Sequence, residues 1–384
     1  MAAPAKHAHH LSVDIGPRPP TSAAEATAAQ YCSTVFEEAG LETRIEHFKG
    51  LESFGRIYIP TTAAMLAGAL LGTRRKARRR LGLAFGVAGL AAFWGEQTSR
   101  WRPLTERMGD GPSQNVVAVL PALEEPRRRL VVVAHVDASR SGLMFHPKVA
   151  KDFRRSTLVG LANGLGSVAA WFLPRRLRRL VATAAVNALT NTLMLLIQRE
   201  IWGKNVAGAN DNASGTGVML ALAQTLALEP LRHTEIWFVA TGCEESDLVG
   251  MSAFMNRHGR DLEDAWFLNL DTVGGAGTTV RWVTQSSVLE AVKADPHLIQ
   301  LAEEVASEHP ELEAEAGVWR TAGLDGDVAA VRGSRQMSIM ALTPDGTLPN
   351  WHWPTDTYES LDEDVIDKCY QFAFELIRKF DRYA

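Results

Sequence analysis

Acidic and histidine side chains follow short apolar runs at several places in this chain. His135 and Asp137 close the run RLVVVAHVD. Because alternate residues of a strand face the same side, the Asp137 carboxylate can reach the His135 imidazole. A carboxylate in that position fixes the tautomer of a metal-bound histidine, although the same arrangement is also common as an ordinary hydrogen-bonded pair. The pair therefore indicates a metal ligand only together with further candidates.

Glu244 and Glu245 are adjacent carboxylates that follow the apolar run EIWFVATGC. Neighbouring side chains point in different directions, so one can bind a cation while the other faces a water molecule as a general base. Two like charges at the mouth of a buried strand repel each other and lose hydration, and a cation offsets both effects. The pair therefore predicts a metal ligand and a general base side by side.

Three further candidates have similar settings. Asp211 lies in the glycine-flanked turn GANDNASG directly before an apolar helix, where a carboxylate can cap the helix or bridge two cations. Asp271 follows the run AWFLNL, and His352 lies in the loop PNWHWPTDT. Each residue alone has an ordinary interpretation as a cap or loop residue. The combination of imidazole and carboxylate groups is typical of a metal centre.

The composition favours metal binding by imidazole and carboxylate groups. Three cysteines in 384 residues lie far apart, which argues against both a disulfide framework and a thiolate zinc site. Ten basic residues are concentrated in 74–80 and 175–179, so the remainder of the chain is acidic and we expect no nucleic-acid partner. The N-terminal segment MAAPAKHAHHLSVDIGPRPP lacks the pattern of a cleavable signal peptide and is interpreted as a short tail.

The order of apolar segments predicts an α/β fold. The runs RLVVVAHVD, TEIWFVATGCEE and AWFLNLDTVGG read as buried strands, and Ser214 to Leu228 reads as a helix between the first two. Strands that alternate with helices predict a mixed, largely parallel central β-sheet covered by helices on both faces. Polar residues just past the strand ends line the ligand crevice of such sheets, which is where the candidates lie.

Two insertions interrupt this alternation, at 57–95 and 141–202. Each contains two apolar stretches around a basic segment, RRKARRR or RRLRR, and predicts a helical hairpin with a basic tip. The stretches are about 15 to 18 residues long, short of the roughly 20 that span a bilayer upright. Membrane contact, a lid over the site, and a soluble cap or dimerisation element in a homo-oligomer all stay open. The choice between a membrane-associated and a cytoplasmic protein is open for the same reason.

The motifs taken in chain order resemble those of a known family. His135-x-Asp137, GANDNASG, Glu244-Glu245, NLD at 269–271 and His352 before PTDT closely resemble the series found in bacterial co-catalytic zinc aminopeptidases. That family also includes glutamate carboxypeptidase relatives and glutaminyl cyclases. The resemblance covers residues 10–55, 112–140 and 203–384. It implies one catalytic domain of the zinc-exopeptidase type over 1–384, with the two hairpins as insertions.

The resemblance also implies an activity. The chain would be a zinc metallo-exopeptidase of the aminopeptidase type, hydrolysing N-terminal residues of peptides. Glu244 would act as the general base on a metal-bridging water, and Asp137 would orient His135. The alternatives are a glutaminyl-cyclase-like enzyme, a carboxypeptidase-type relative, and a membrane-associated protein with a non-catalytic metal site.

The ligand set that the resemblance implies holds two zinc ions. His135 and Asp271 would hold one ion, and Glu245 and His352 would hold the other. Asp211 would bridge the two ions. Every one of these groups is an imidazole or a carboxylate, which agrees with the cysteine-poor composition.

The sequence departs from the family pattern in three places, one of which is Cys243 before the glutamate pair, where relatives usually have a small residue and a buried structural thiol is expected here. Between His135 and Asp211 the family has a short loop, whereas 75 residues intervene here, so the second insertion must emerge beside the site. The segment LDGDVAAVRG resembles a later loop of the family but lacks its customary histidine, which leaves Asp325 as a weak candidate for substrate binding. Trp351 and Trp353 flank His352 and either favour an apolar substrate residue or only pack the loop.

Overall fold

A computed structural model of the protein describes residues 3–74 and 76–383. Within these residues, nine strands form a single sheet. The strands are β1 (Glu42–Gly50), β2 (Gly111–Leu120), β3 (Arg128–His135), β4 (Thr234–Thr241), β5 (Trp266–Leu270), β6 (Thr279–Ser286), β7 (Val292–Lys293), β8 (Glu315–Val318) and β9 (Arg335–Leu342).

The sheet is mixed, with a parallel centre. The strand order is β1-β2-β4-β3-β5-β9-β6-β7, and β8 pairs with β6. β4, β3, β5 and β9 are parallel neighbours, whereas β1 pairs with β2, β2 with β4, β6 with β9, and β6 with β7 in antiparallel fashion. The carboxyl ends of the four parallel strands therefore meet at one edge, as expected of a ligand-binding α/β sheet.

Helices cover both faces of the sheet, so the predicted fold class is confirmed. The helices of the described chain are α1 (Pro4–His9), α2 (Ala23–Glu38), α3 (Gly55–Gly72), α4 (Lys76–Gln97), α5 (Pro147–Ala150), α6 (Phe153–Ala169), α7 (Arg175–Trp202), α8 (Gly215–Leu228), α9 (Val249–His258), α10 (Pro296–Glu308), α11 (Asp325–Val331) and α12 (Glu363–Arg382).

Successive apolar residues of β3 point to opposite faces of the sheet, which explains why a helical layer packs on each face. Leu130 and Val132 pack into the core shared with α2, α8, α10 and α12, whereas Val131 and Val133 pack into the core shared with α9 and α11. All four side chains are buried. A strand with apolar residues on both faces must lie inside a three-layer structure, and this places the end of β3 deep in the molecule.

The two insertions form helical hairpins that pack together. α3 packs against α4, α6 and α7, and α4 also packs against α6. Glycines permit the close approach: a Cβ atom added to Gly68 would lie 2.8 Å from the Cα atom of Gly86, and one added to Gly89 would lie 2.8 Å from the carbonyl oxygen of Thr61. We call these four helices the hairpin bundle.

The lengths of the bundle helices differ from those that the sequence predicts. α7 has 28 residues, many more than the expected 15 to 18, because Arg175–Arg179 form its first turn and the helix continues to Trp202. By length and hydropathy α7 alone, among the described helices, is able to cross a membrane, and only 22% of its apolar window is buried.

The histidine-rich N-terminal segment is structured, so its interpretation as a tail is wrong. α1 packs against α8, and Ala8 and Leu11 are fully buried. The His7 ring bonds to the Tyr31 hydroxyl at 2.7 Å and to the Gln224 side chain at 3.2 Å. These bonds occupy both nitrogens of His7, which therefore does not serve as a metal ligand in this fold.

Candidate metal centre

The predicted ligands meet at the carboxyl edge of the parallel strands. His135 is the last residue of β3, and Asp271 directly follows β5. Glu244 and Glu245 follow β4 after a short turn, and Asp211 lies in the kinked turn Ala209–Ser214 before α8. Strand order thus brings together residues that are up to 136 positions apart in the chain.

One group of ligand atoms centres on His135. Its Nε2 atom lies 3.2 Å from Oδ1 of Asp211 and 3.9 Å from Oδ1 of Asp271. All three residues are buried, and their ligand atoms lie within 4.8 Å of one another. The spacing suits a cation that all three bind.

A second group centres on His352 and shares Asp211 with the first. Nε2 of His352 lies 3.1 Å from Oδ2 of Asp211 and 3.0 Å from Oε2 of Glu245. The two oxygens of Asp211 therefore face different histidines. A carboxylate with this orientation is able to bridge two cations, as the resemblance implies.

The hydrogen bonds of His135 leave Nε2 free for a metal. Nδ1 lies 3.1 Å from the backbone oxygen of Asp137. Because a carbonyl oxygen only accepts hydrogen bonds, Nδ1 carries a proton, so a metal would bind His135 through the lone pair of Nε2. Without a metal, burial lowers the pKa of His135, but the nearby carboxylates outweigh burial and raise it well above its ordinary value, so that Nε2 is protonated as well. Asp137 thus orients His135 mainly through its backbone, since the nearer carboxylate oxygen is 3.6 Å from Nδ1.

The Asp137 carboxylate has a different contact from the one that the sequence predicts. Its two oxygens accept hydrogen bonds from the backbone N–H groups of Glu244 at 3.1 Å and Glu245 at 3.0 Å. The side chain is fully buried. Asp137 therefore fixes the position of the glutamate pair as well as that of the histidine.

Glu244 lies beside the two groups of ligands. Its Oε2 atom is 3.9 Å from Nε2 of His135. Burial raises the pKa of Glu244 well above its ordinary value, the positive charge of His135 opposes this, and the neighbouring Glu245 and Asp271 raise it further. A carboxyl group with a raised pKa is a better proton acceptor near neutral pH than an exposed glutamate.

The electrostatics of the cluster favour a cation. Burial raises the pKa of Asp271 to about 8. Burial lowers the pKa of His352, but Glu245 and Asp211 outweigh it and raise the pKa to about 9. In the described chain the Oε1 atom of Glu245 is buried without a hydrogen-bond partner. A bound cation would replace the protons on the buried acids and would give the unpaired carboxylate oxygen a partner. The residues therefore fit bound zinc.

Asp356 and Arg18 support the site and were not predicted as functional residues. The Asp356 carboxylate accepts hydrogen bonds from the backbone N–H groups of Asn210 at 2.7 Å and Asp211 at 3.2 Å. Arg18, fully buried, donates to the carbonyl oxygens of Val136 at 2.8 Å and Gly208 at 2.9 Å. In the sequence, the two residues stand out only as members of the motifs PTDT and IGPRPP. Their supporting role could not be predicted, because the contacts form only in the tertiary fold.

The three weaker candidates lie at different distances from the ligands. Trp351 is buried next to the His352 ring and faces the cavity above the site. Trp353 packs instead against His146 of the second insertion, with ring centroids 5.0 Å apart. The Asp325 carboxylate accepts a hydrogen bond from Thr241 at the end of β4 and is 1% exposed. Of these three residues, Trp351 alone lines the cavity.

The second insertion contributes directly to the site. The ring of Phe145 stacks edge-on against His352, with centroids 4.4 Å apart, and also contacts Trp351. This contact packs the second insertion directly against the ring of a predicted metal ligand. The second insertion is therefore part of the wall of the site.

A three-layer α/β sheet with a histidine–carboxylate cluster at the carboxyl edge defines a metal-dependent hydrolase. The sequence profile of Peptidase family M28 matches residues 115–377, well over half of the chain. The chain belongs to this family and is a metallopeptidase, and the predicted resemblance is confirmed. Zinc is the metal used by the family's zinc aminopeptidases.

Individual relatives agree with this family. The chain is 44% identical over 69 residues to aminopeptidase YwaD of Bacillus subtilis, a match that spans 17% of this chain and 15% of that protein. Its fold is similar to that of BSAP, a zinc aminopeptidase from Bacillus subtilis, with a TM-score of 0.57, 15% identity, and coverage of 98% of this chain and 93% of the other.

A second solved structure with a similar fold is named for a different activity. The glutaminyl cyclase of Bacteroides thetaiotaomicron aligns with a TM-score of 0.59 and 14% identity, covering 98% of this chain and 96% of the other. At these identities the structural likeness concerns the fold alone. The choice between the activities depends on the site.

Proposed function

We propose that the protein is an aminopeptidase that binds two zinc ions at the edge of its sheet. The observation that carries the proposal is the pair of ligand groups that share Asp211, each with one histidine and one further carboxylate. Five buried ligands and an adjacent base form a more complete set than a structural zinc site needs. The chain would act as one catalytic unit with the two hairpins as insertions.

The proposed chemistry is hydrolysis of the first peptide bond of a substrate. When bound, zinc supplies Lewis-acid chemistry that lowers the pKa of water and polarises a carbonyl group. Glu244 accepts the proton of the attacking water at its carboxylate and passes it to the departing amine. Asp137 holds Glu244 in place through the backbone N–H group, and Phe145 and Trp351 exclude water from one side of the site.

The test of this proposal is the variant Glu244→Gln. We expect it to keep its zinc and to hydrolyse leucyl p-nitroanilide about 100 to 10,000 times more slowly, because the amide cannot accept a proton. Zinc content and hydrolysis are measured on the same sample. Glu303→Gln, which changes a carboxylate on the surface of α10, is the matched control and should match the wild type. Unchanged hydrolysis by Glu244→Gln would overturn the role of the base.

A substrate panel separates the proposal from its alternatives. An aminopeptidase requires a free amino terminus, a carboxypeptidase-type relative accepts a blocked one, and a glutaminyl-cyclase-like enzyme converts an N-terminal glutamine without releasing it. The panel is therefore leucyl, acetyl-leucyl and glutaminyl peptides, with products identified by mass spectrometry. Release of the free N-terminal leucine is the expected result.

We also propose that the hairpin bundle contacts a lipid surface. Leu180 and Phe172, 68% and 75% exposed, lie near its tip together with Arg175 and Arg176. Arg79 of the first hairpin stacks over Trp171 of the second, so that the two basic segments lie side by side. Apolar side chains beside a concentration of arginines suit a bilayer with anionic headgroups.

A further inference from the structure

The hairpin bundle encloses an apolar cavity that is continuous with the metal centre. The cavity has a volume of about 440 Å³. Glu244 and His352 lie at one end, and Met65 of α3 and Gly160 of α6 lie at the other. Neither hairpin is part of the sheet-and-helix core, so the insertions add this space to the site.

The cavity is deep along the helix axes. On α3 its lining runs from Tyr58 through Thr62 to Met65, and on α7 it runs from Leu189 to Leu196. Seven residues of helix correspond to about 10 Å. The side chain of a natural amino acid that is held at the metal centre fills only the near part of such a space.

The hairpin walls of the cavity offer no free charge to a ligand in the part of the chain that the structure describes. Glu96 is the charged residue that the hairpins contribute, and its carboxylate accepts hydrogen bonds from the Leu104 N–H group and the Thr105 hydroxyl, both at 2.7 Å. The hydroxyl of Tyr58 donates to Asp247 at 2.7 Å, and that of Thr192 donates to the carbonyl oxygen of Ala188. Gln97 and Ser156 also line the cavity, but most of the hairpin wall is apolar, so the space favours an apolar occupant.

The far end of the cavity is closed and the side is open. A Cβ atom on Gly164 would lie 2.4 Å from the sulfur of Met65, so α3 and α6 touch there. A Cβ atom on Gly160 would meet only the Thr192 hydroxyl, at 3.9 Å, which shows empty space between α6 and α7. Exposed apolar residues, Leu143 and Val149, edge the opening.

We propose that this cavity is a subsite for a long unbranched hydrocarbon chain carried by the substrate next to the scissile amide bond. The proposal rests on the proposed peptidase function and names its substrate class. The hairpin part of the cavity has mostly apolar walls and runs along about two turns of helix, which suits a chain of methylene groups longer than a natural side chain. The lateral opening lets such a chain enter from the apolar outer surface of the bundle.

The first test varies chain length in two series of substrates. One series is the p-nitroanilides of alanine, norleucine, α-aminooctanoic acid and α-aminodecanoic acid, and the other is the alanyl amides of butylamine, octylamine and decylamine. We expect kcat/KM to rise about fourfold per methylene until the cavity is full, since a buried methylene contributes about 0.8 kcal/mol. The series that responds identifies the side of the bond on which the chain lies. A flat profile in both series would overturn the proposal.

The second test fills the cavity from two helices. Gly160→Leu and Thr192→Met place additional carbon atoms in the empty space, and each should lower the ratio of long-chain to short-chain kcat/KM by about tenfold or more. Ala162→Leu, an exposed position two residues away on α6, is the matched control and should keep the wild-type ratio. If Gly160→Leu and Thr192→Met both keep that ratio, the subsite is elsewhere.

A binding measurement separates this proposal from the proposed function. The probe is dansyl-labelled undecanoic acid, whose fluorescence increases in apolar surroundings, displaced by decanoic acid. We expect binding by the wild type and by Glu244→Gln, and weaker binding by Gly160→Leu. Probe binding without hydrolysis of any anilide would contradict the peptidase function alone. Hydrolysis without probe binding would contradict the subsite alone.

Discussion

The carboxyl edge of the sheet and the hairpin bundle are stabilised in different ways. At the sheet edge, buried hydrogen bonds fix the backbone of several site residues: Asp137 holds the two glutamates, and Asp356 holds the turn that carries Asp211. In the bundle, helices approach through glycines and leave many apolar side chains exposed. The first region is built for precise placement of charge. The second encloses space and presents an apolar surface.

The two regions are nevertheless connected. Tyr58 of α3 donates a hydrogen bond to Asp247, two residues after Glu245, and Arg102 forms an ion pair with the other oxygen of Asp247 at 2.7 Å. Phe145 of the second insertion contacts His352. A change in the bundle can therefore alter the site, and a change at the site can alter the bundle.

Asp211→Asn is expected to have the largest effect. The amide cannot bridge two cations with two anionic oxygens, so we expect loss of most bound zinc and a fall of about a thousandfold or more in hydrolysis. Elemental analysis and leucyl anilide assays measure both quantities. Asp345→Asn, an exposed carboxylate, serves as the control. A variant that keeps full zinc content would contradict the bridging role.

Removal of zinc is expected to make stability depend on pH. The folded-state pKa values of Asp271 and His352, about 8 and about 9 without metal, are raised above those of the unfolded chain. The folded zinc-free protein then binds more protons than the unfolded one, so its stability falls as pH rises from about 4 to about 9. Thermal unfolding of chelator-treated and zinc-loaded protein should diverge over this range. Parallel melting curves at all pH values would contradict this prediction.

Tyr58→Phe tests the connection between the regions. The variant removes one buried hydrogen bond to a carboxylate and should lower the free energy of unfolding by about 1 to 3 kcal/mol. Because Asp247 keeps its bond to Arg102, we expect unchanged zinc content and a severalfold decrease in kcat/KM. Chemical unfolding, zinc analysis and kinetics distinguish this result from a loss of the metal centre. Wild-type kinetics and stability would show that the bundle is independent of the site.

Leu180→Glu and Phe172→Glu should have the smallest effect on hydrolysis. Both side chains are exposed and far from the ligands in sequence, so we expect wild-type rates on soluble anilides. Binding to vesicles with anionic lipids, measured by co-sedimentation, should decrease because a charge replaces an apolar contact. Leu228→Glu, 86% exposed at the end of α8, is the matched control. Equal vesicle binding by all three variants would exclude the bundle as the lipid contact.

Much of the site could be predicted from the sequence because its ligands lie at the ends of apolar strands. The run before His135 and the run before Asp271 specify parallel strands, and parallel strands place their carboxyl ends at one edge. Two adjacent glutamates at the end of a buried strand favour a metal site, because a cation offsets their repulsion and their loss of hydration. These local patterns sufficed for the fold class and for bringing the candidates together.

Other features depend on contacts that no local pattern encodes. The bonds from the Asp137 carboxylate to the glutamate backbone require the turn after β4, and the bonds from Arg18 join segments that are up to 190 positions apart. The cavity results from the packing of four helices from two insertions. Apolar periodicity predicts that those helices exist, but it does not determine how they cross.

The central claim is that the sheet edge binds two zinc ions that share Asp211, and calorimetric titration of the metal-free protein with zinc tests it most directly. We predict two equivalents of zinc per chain in the wild type. Binding of one equivalent or none by the wild type would contradict the account.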